Sequence, residues 1–239
     1  SEQEIDPDEL EEVLASATEI TDPTEVDFLL RNLRRNLDDA WESRDEVTSD
    51  LEYRLSVTQD GSIIAFEPSA GTPEEATQKT PLPELTYTPT EDTIANSEEI
   101  ALFRVVFTDN GVLQISPWSG LNGEPDFGPE ITDKSKLREL NFELREKIIE
   151  QLPKEVSFPR DLEYRVGITE DLEIADYEAQ NQGAIDFVAQ TPIPEMFKPE
   201  AAGIGEEGEN LIPKEPLGQF KVVFRANGVV EVSALRGVR

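Results

Sequence analysis

Apolar residues recur along this chain with two different periods, and the switch between them marks its elements. After Val26, the positions Leu30, Leu33, Leu37 and Trp41 fall every three or four residues, which keeps one face of an α-helix apolar. Asp22 precedes the run as a cap, Pro23 takes the first helical position and Glu25 stands three residues after Asp22, the order of a capping box. An amphipathic helix of about five turns is expected, ending near Arg44. The period then drops to two. Leu51, Tyr53, Leu55 and Val57 alternate with Glu52, Arg54, Ser56 and Thr58, which predicts a half-buried strand with the second set facing outward. Asp60-Gly61 turns it, and Ile63 to Glu67 returns. After Thr80-Pro-Leu-Pro-Glu-Leu85 and a polar stretch comes a second hairpin, Phe103 to Ser116, turning at Asn110-Gly111. That residue pair is favoured in two-residue type I′ turns.

The same order then returns. Phe103-Arg-Val-Val-Phe-Thr-Asp-Asn-Gly-Val-Leu-Gln-Ile-Ser116 reappears as Phe220-Lys-Val-Val-Phe-Arg-Ala-Asn-Gly-Val-Val-Glu-Val-Ser233, with eight of fourteen positions identical. Leu162-Glu-Tyr-Arg165 repeats Leu51-Glu-Tyr-Arg54 at an offset of 111, and Thr191-Pro-Ile-Pro-Glu-Met196 repeats the Pro segment at the same offset. The last hairpin is offset by 117, so the loop before it is six residues longer. A second helix opens at a capping Asp133, its Leu137, Leu140, Leu144 and Ile148 set against Leu30, Leu33, Leu37 and Trp41. The chain therefore reads as an α+β protein of two tandem repeated units, each with one amphipathic helix packed on a small antiparallel sheet of two hairpins. The boundaries are an acidic N-terminal arm at 1–22, unit 1 at 23–118, a Gly/Pro/Asn-rich linker at 119–132 and unit 2 at 133–239. In the arm, Asp6-Pro7-Asp8-Glu9 marks a helix start, followed by the stripe Leu10, Val13 and Leu14.

Composition narrows the function. The net charge is −31, which opposes nucleic-acid binding, where Lys and Arg neutralise phosphates, and opposes an anionic membrane surface. It fits a solvated surface, an acidic face for a basic partner, or a high-salt habitat, since only 8 of 21 basic residues are Lys. The chain has no Cys and no His, which removes disulfides, thiolate chemistry, His-based triads and the usual zinc or haem ligands. No apolar run reaches membrane-spanning length. A cytoplasmic protein without membrane insertion or cofactor is expected, or a periplasmic or membrane-associated one if a signal or anchor has been removed. Gly203-Ile-Gly-Glu-Glu-Gly208 spells G-x-G-x-x-G, but a Pro-rich loop precedes it, prolines follow and two glutamates would repel phosphate. A flexible insertion explains it better than a dinucleotide site. Carboxylate pairs are abundant and none is singled out as an acid/base pair.

Polar positions kept in both units carry the remaining signal. Glu52/Arg54 and Glu163/Arg165 read either as cross-strand ion pairs or as a ridge facing a partner. Arg104 and Lys221 are the outward positions of the two final hairpins. The Thr-Pro-x-Pro-Glu segments read as stiff extended crossovers or as a groove wall. Trp41, set against Ile148, reads as core. Trp118 has no counterpart and reads as an exposed anchor, since Trp is enriched at interface hot spots. Arg54, Arg104, Trp118, Arg165 and Lys221 are thus the candidate partner-binding residues.

The order helix, strand, D-G turn, return strand, Pro-containing crossover and last strand resembles the C-terminal domains of the TonB/TolA type. Tyr53-Arg-Leu-Ser-Val-Thr-Gln-Asp-Gly-Ser-Ile-Ile carries the likeness, over about 60 residues per unit. The chain departs from that pattern at Asp171-Leu172, where the turn Gly is expected, and in the Pro segment that replaces a crossover helix. The ending Phe-Arg-Val-Val-Phe with Ser-Pro-Trp is also similar to a group of cyanobacterial proteins. The TonB/TolA resemblance implies a non-catalytic adaptor that grips protein partners through sheet edges. The edges expected to do so are Phe103–Phe107 and Phe220–Phe224. Alternatives are an acidic decoy or chaperone for basic proteins and a carboxylate-dependent hydrolase.

Overall fold

The computed structural model describes residues 5–88, 90–91, 97–205 and 210–235, and the chain divides into two compact units, Ser1–Pro125 and Asp126–Arg239. The first unit begins with helix α1 (Pro7–Ser16), capped by the Asp6 carboxylate accepting from Asp8 N–H at 3.0 Å. Strand β1 (Thr18–Glu19) leads into helix α2 (Pro23–Ala40), where the Asp22 carboxylate accepts from the N–H groups of Thr24 and Glu25. Strands β2 (Leu51–Thr58) and β3 (Ile63–Ser69) form the first hairpin, and β4 (Glu99–Phe107) and β5 (Leu113–Pro117) form the second. The antiparallel order is β3-β2-β4-β5, with β1 joined in parallel to the start of β4. The second unit repeats this order as β7-β6-β8-β9, from strands β6 (Leu162–Ile168), β7 (Ile174–Ala179), β8 (Gly218–Phe224) and β9 (Val230–Ala234). Its long helix is α4 (Lys134–Gln151), since the short α3 (Leu82–Leu85) lies in the first unit. Short helices α5 (Gln182–Phe187) and α6 (Ile193–Met196) join its hairpins. The α+β reading is correct.

Each helix lies over the second hairpin of its own unit and buries its apolar stripe there. The buried stripe is Val26, Leu29, Leu33 and Leu37 in α2, and Leu137, Leu140, Leu144 and Ile148 in α4. All four pairs are offset by 111, which corrects the alignment expected from the sequence. Leu29 is the buried member of the stripe, with Leu30 half-buried at the core's margin, and Trp41 corresponds to Leu152, each being the C-cap of its helix. Trp41 is nevertheless core. Its ring meets Phe107 edge-on at 5.0 Å, and its indole N–H donates to Lys79 C=O at 3.1 Å. On the strands, Tyr53 and Tyr164 are fully buried and meet Phe107 and Phe224 edge-on, both at 5.9 Å. A buried phenol needs a partner. Tyr53 finds the Thr77 hydroxyl at 3.1 Å, and Tyr164 donates to Ala184 C=O at 2.6 Å.

The Thr-Pro-x-Pro-Glu segments are not extended. Pro81 and Pro192 have helical backbone angles and lead into α3 and α6. The preceding Thr hydroxyl donates to a carbonyl three residues back at 2.7 Å and accepts from the N–H two residues on at 3.3 Å, in both units. Pro at the start of a helical turn forfeits no hydrogen bond, so the segment folds inward and delivers Leu82 and Ile193 to the core. The unit boundaries move as well. Ile20 N–H bonds to Ile100 C=O, and Ile131 N–H bonds to Leu217 C=O at the equivalent place. Residues 18–20 therefore join the first sheet and 129–131 make the equivalent contact with Leu217, just ahead of β8, so neither is a free arm or linker, and the underlying repeat is Glu-Ile-Thr-Asp at 19–22 and 130–133.

All four hairpins use one loop, and it is not the two-residue turn expected at Asn110-Gly111. In each, the fourth residue's N–H bonds to the first residue's C=O, and the first residue's N–H bonds to the C=O of the fifth. The fourth residue is left-handed: Gly61, Gly111, Leu172 and Gly228 have φ of 91°, 79°, 66° and 88°. This is the three-residue loop in which a type I turn ends in a left-handed residue, so Asn110 keeps an ordinary φ. Leu172 accepts the left-handed angle while its side chain packs against the second core. A Cβ on Gly61 would meet nothing within 4 Å, so only backbone strain opposes it. Gly61→Ala is expected to lower stability by about 1 kcal/mol in urea denaturation.

Candidate functional site

Each sheet has one face on its core and one turned away, and every candidate residue of the strands lies on the second. Arg54 follows the buried Tyr53 on β2, and Arg165 follows Tyr164 on β6. The register places them identically: Arg54 stands between Glu67 and Arg104, and Arg165 between Glu178 and Lys221. Their surroundings differ. The Arg165 side chain is only 4% exposed, although the sequence pattern aimed it at a partner. It donates to Asp176 at 2.7 Å and to the Gln219 side-chain carbonyl at 2.9 Å, with Glu178 at 3.5 Å. The Phe127 ring covers it, 4.2 Å from the guanidinium carbon. Burying an arginine is tolerable only with such a complement, so Arg165 is a structural residue and does not present a surface.

The Arg54 side chain has no hydrogen bond or ion pair among the described residues; its Nε, like that of Arg165, is buried without a hydrogen bond, but its two Nη groups also lack the acceptors that Arg165 has. Its guanidinium lies 5.5 Å from the Trp118 ring centre, within cation–π range. Trp118 remains 41% exposed, where the sequence placed it. A cleft of about 220 Å³ opens beside Arg54, walled by Leu14 and Ala15 of α1 and by Ser56, Ala65, Phe66 and Leu102 of the sheet. Glu11, Glu19 and Glu67 also line it. No residue of α1 is fully buried, so this wall is lightly held.

Arg104 and Lys221 pair diagonally across the strands with Glu52 and Glu163. Arg104 donates to the Glu52 carboxylate, and Lys221 lies 3.8 Å from Glu163. A hydrogen bond from the Ser69 hydroxyl, with help from Arg104, holds Glu52 below the ordinary carboxylate range. Three further carboxylates are also lowered by structural contacts. Asp60 accepts from Thr58 inside its turn, and Asp161 and Glu231 are both paired with Arg225. Among the described residues no group of three or more acids is placed to hold a metal ion, and no helix is long and apolar enough to cross a membrane.

Two features of this face were missed by reading the sequence. Asp50 and Asp161, also offset by 111, accept from Asp109 N–H and Ala226 N–H at 3.0 and 2.9 Å and anchor the final turns. They stand immediately before the repeated Leu-Glu-Tyr-Arg, so extending that repeat by one residue would have found them. The partners of Arg165 were invisible because they lie on other strands, outside any local motif. Phe103–Phe107 and Phe220–Phe224, expected at sheet edges, are the central strands β4 and β8, each paired on both sides. Residues 206–208 of the Gly-rich motif lie outside the described residues, and what precedes Gly203 is a turn of 3₁₀ helix, Pro199–Ala202. No protein-family model, curated protein or solved structure matches the chain.

The two arginines should differ in energetic weight. Arg165→Ala removes the donor shared by the buried Gln219 amide and the half-buried Asp176 and Glu178 carboxylates and is expected to cost about 2–3 kcal/mol. Arg54→Ala is expected to cost less than about 1 kcal/mol. Urea denaturation followed by circular dichroism measures both, and equal costs would contradict the assignment of one to structure and the other to a surface.

Proposed function

We propose that the protein is a non-catalytic protein-binding module, an adaptor that receives its partner on the outer face of the first unit's sheet. The observation that carries this reading is Arg54: a guanidinium without an ion pair, in a cleft, beside a half-exposed tryptophan. Arg and Trp are the residue types that dominate binding energy at protein interfaces. The reading departs from strand addition, because the best-preserved strands are interior. The exposed edge strand β3 also contains Pro68, which lacks the N–H an added strand would use. The sequence resemblance to TonB/TolA C-terminal domains implies the same class of role. Glu52, Asp60, Asp161 and Glu231 are all held low, the opposite of what a general acid needs.

The net charge of −31 favours a second reading, an acidic decoy for basic proteins. Salt separates the two, because raising ionic strength from about 0.1 M to about 1 M shortens the Debye length from roughly 10 Å to 3 Å. In a pull-down at both salts, the adaptor reading expects one partner retained throughout by the wild type and released by Trp118→Ala. Partners that appear only at low salt and ignore Trp118→Ala would instead establish the decoy.

A further inference from the structure

The second unit contains a filled version of the site that the first leaves open. Around Arg165 the face is completed by Asp176 and Gln219, which occupy the two register positions flanking Gly167, and by the Phe127 ring above. The corresponding register positions flank Ser56 in the first unit and are Ala65 and Leu102. The carboxylate has become a methyl group and the amide an isobutyl group, while the arginine stays. Position 16, equivalent to Phe127 at the offset of 111, is Ser16. The space so released is the cleft, whose walls include Ala65 and Leu102 themselves. At about 220 Å³ it has room for one or two side chains.

We propose that this cleft binds a peptide segment carrying one carboxylate beside an aromatic ring, the two groups that the second unit supplies to its own arginine. This deepens the protein-binding reading and rests on it. The carboxylate would take the two Nη groups of Arg54 from the side that Asp176 occupies on Arg165. The ring would lie over the guanidinium face against Leu14 and Leu102. A charged donor left unpaired in a partly buried place is costly, and a carboxylate is the acceptor that forms the strongest bond with it. The carboxylates of Glu11, Glu19 and Glu67 set the other limit. They repel anions in proportion to charge, so phosphorylated or polyacidic segments are disfavoured most, and a single carboxylate gains only by seating directly on Arg54.

The test is calorimetric titration of the full chain with the blocked peptide acetyl-Gly-Asp-Phe-Gly-amide. Two control peptides replace Asp by Asn or Phe by Ala. Saturable binding is expected to the first, weakened at least about tenfold by either replacement and by Arg54→Gln, as loss of one charge-assisted pair requires. The double substitution Ala65→Asp with Leu102→Gln rebuilds the second unit's complement and is expected to abolish binding while leaving the thermal transition in place. Absence of saturable binding to the wild type, equal binding of the Asn peptide, or undiminished binding by the rebuilt variant would each overturn the proposal. If the peptide fails while Trp118→Ala still releases a salt-resistant partner from the full chain, the ligand assignment falls and the binding face stands. If both fail, the binding face falls too.

Discussion

The pairing of the two central strands fixes almost everything else in each unit. β2 lies against β4 with Tyr53 opposite Val105, and β6 lies against β8 with Tyr164 opposite Val222. Because side chains alternate, a slip of one residue would turn Arg54 into the core and Tyr53 into water. The apolar set Leu51, Tyr53, Leu55 and Val57 is buried almost completely, so the correct register is favoured over the slipped one by the burial of four large side chains. Once it is set, the long helix has a surface to cover, the Thr-Pro turns have a core to enter, and the Asp50 and Asp161 carboxylates reach the final turns. The same register gives Arg54 and Arg165 identical addresses on the opposite face.

What the sequence made legible was what depends on local periodicity. Strand alternation at 51–58 and the helix started by Asp22-Pro23 needed no distant information. The errors fell where one local pattern serves two geometries. Leu29 and Leu30 are adjacent and both apolar, so spacing alone did not say which one lines the core. Asn-Gly suits both a two-residue turn and the second half of a three-residue loop, and the difference lies in the φ of Asn110. Proline pre-sets a φ that extended chain and the first helical turn share, and the Thr hydroxyl decides for the helix. Similarity between the final hairpins reflects packing on both sides of β4 and β8, and not a working edge.

The face itself was half legible. Alternation placed Arg54 and Arg165 away from the core, but a side chain that leaves the core is not thereby exposed. Arg165 is covered by a phenylalanine 38 residues earlier in the chain and bonded by groups on two other strands. No window of sequence around Arg165 contains that information. It becomes visible only by setting the two units on one register and asking which contacts each has kept. The second unit keeps the whole complement. The first keeps the arginine and the facing glutamate, and replaces the rest with apolar side chains and open space.

That one face is open in the first unit and closed in the second is the central claim, and thiol labelling tests it directly. The chain has no native cysteine, so Leu102→Cys and Gln219→Cys place a single thiol at the same register position of each sheet. The native protein should react with a small thiol reagent at least about tenfold faster at position 102, where the cleft opens, than at position 219, where Gln219 is 2% exposed. Equal rates, with both variants folded, would mean that the two faces are alike and that the comparison on which the binding site rests is wrong.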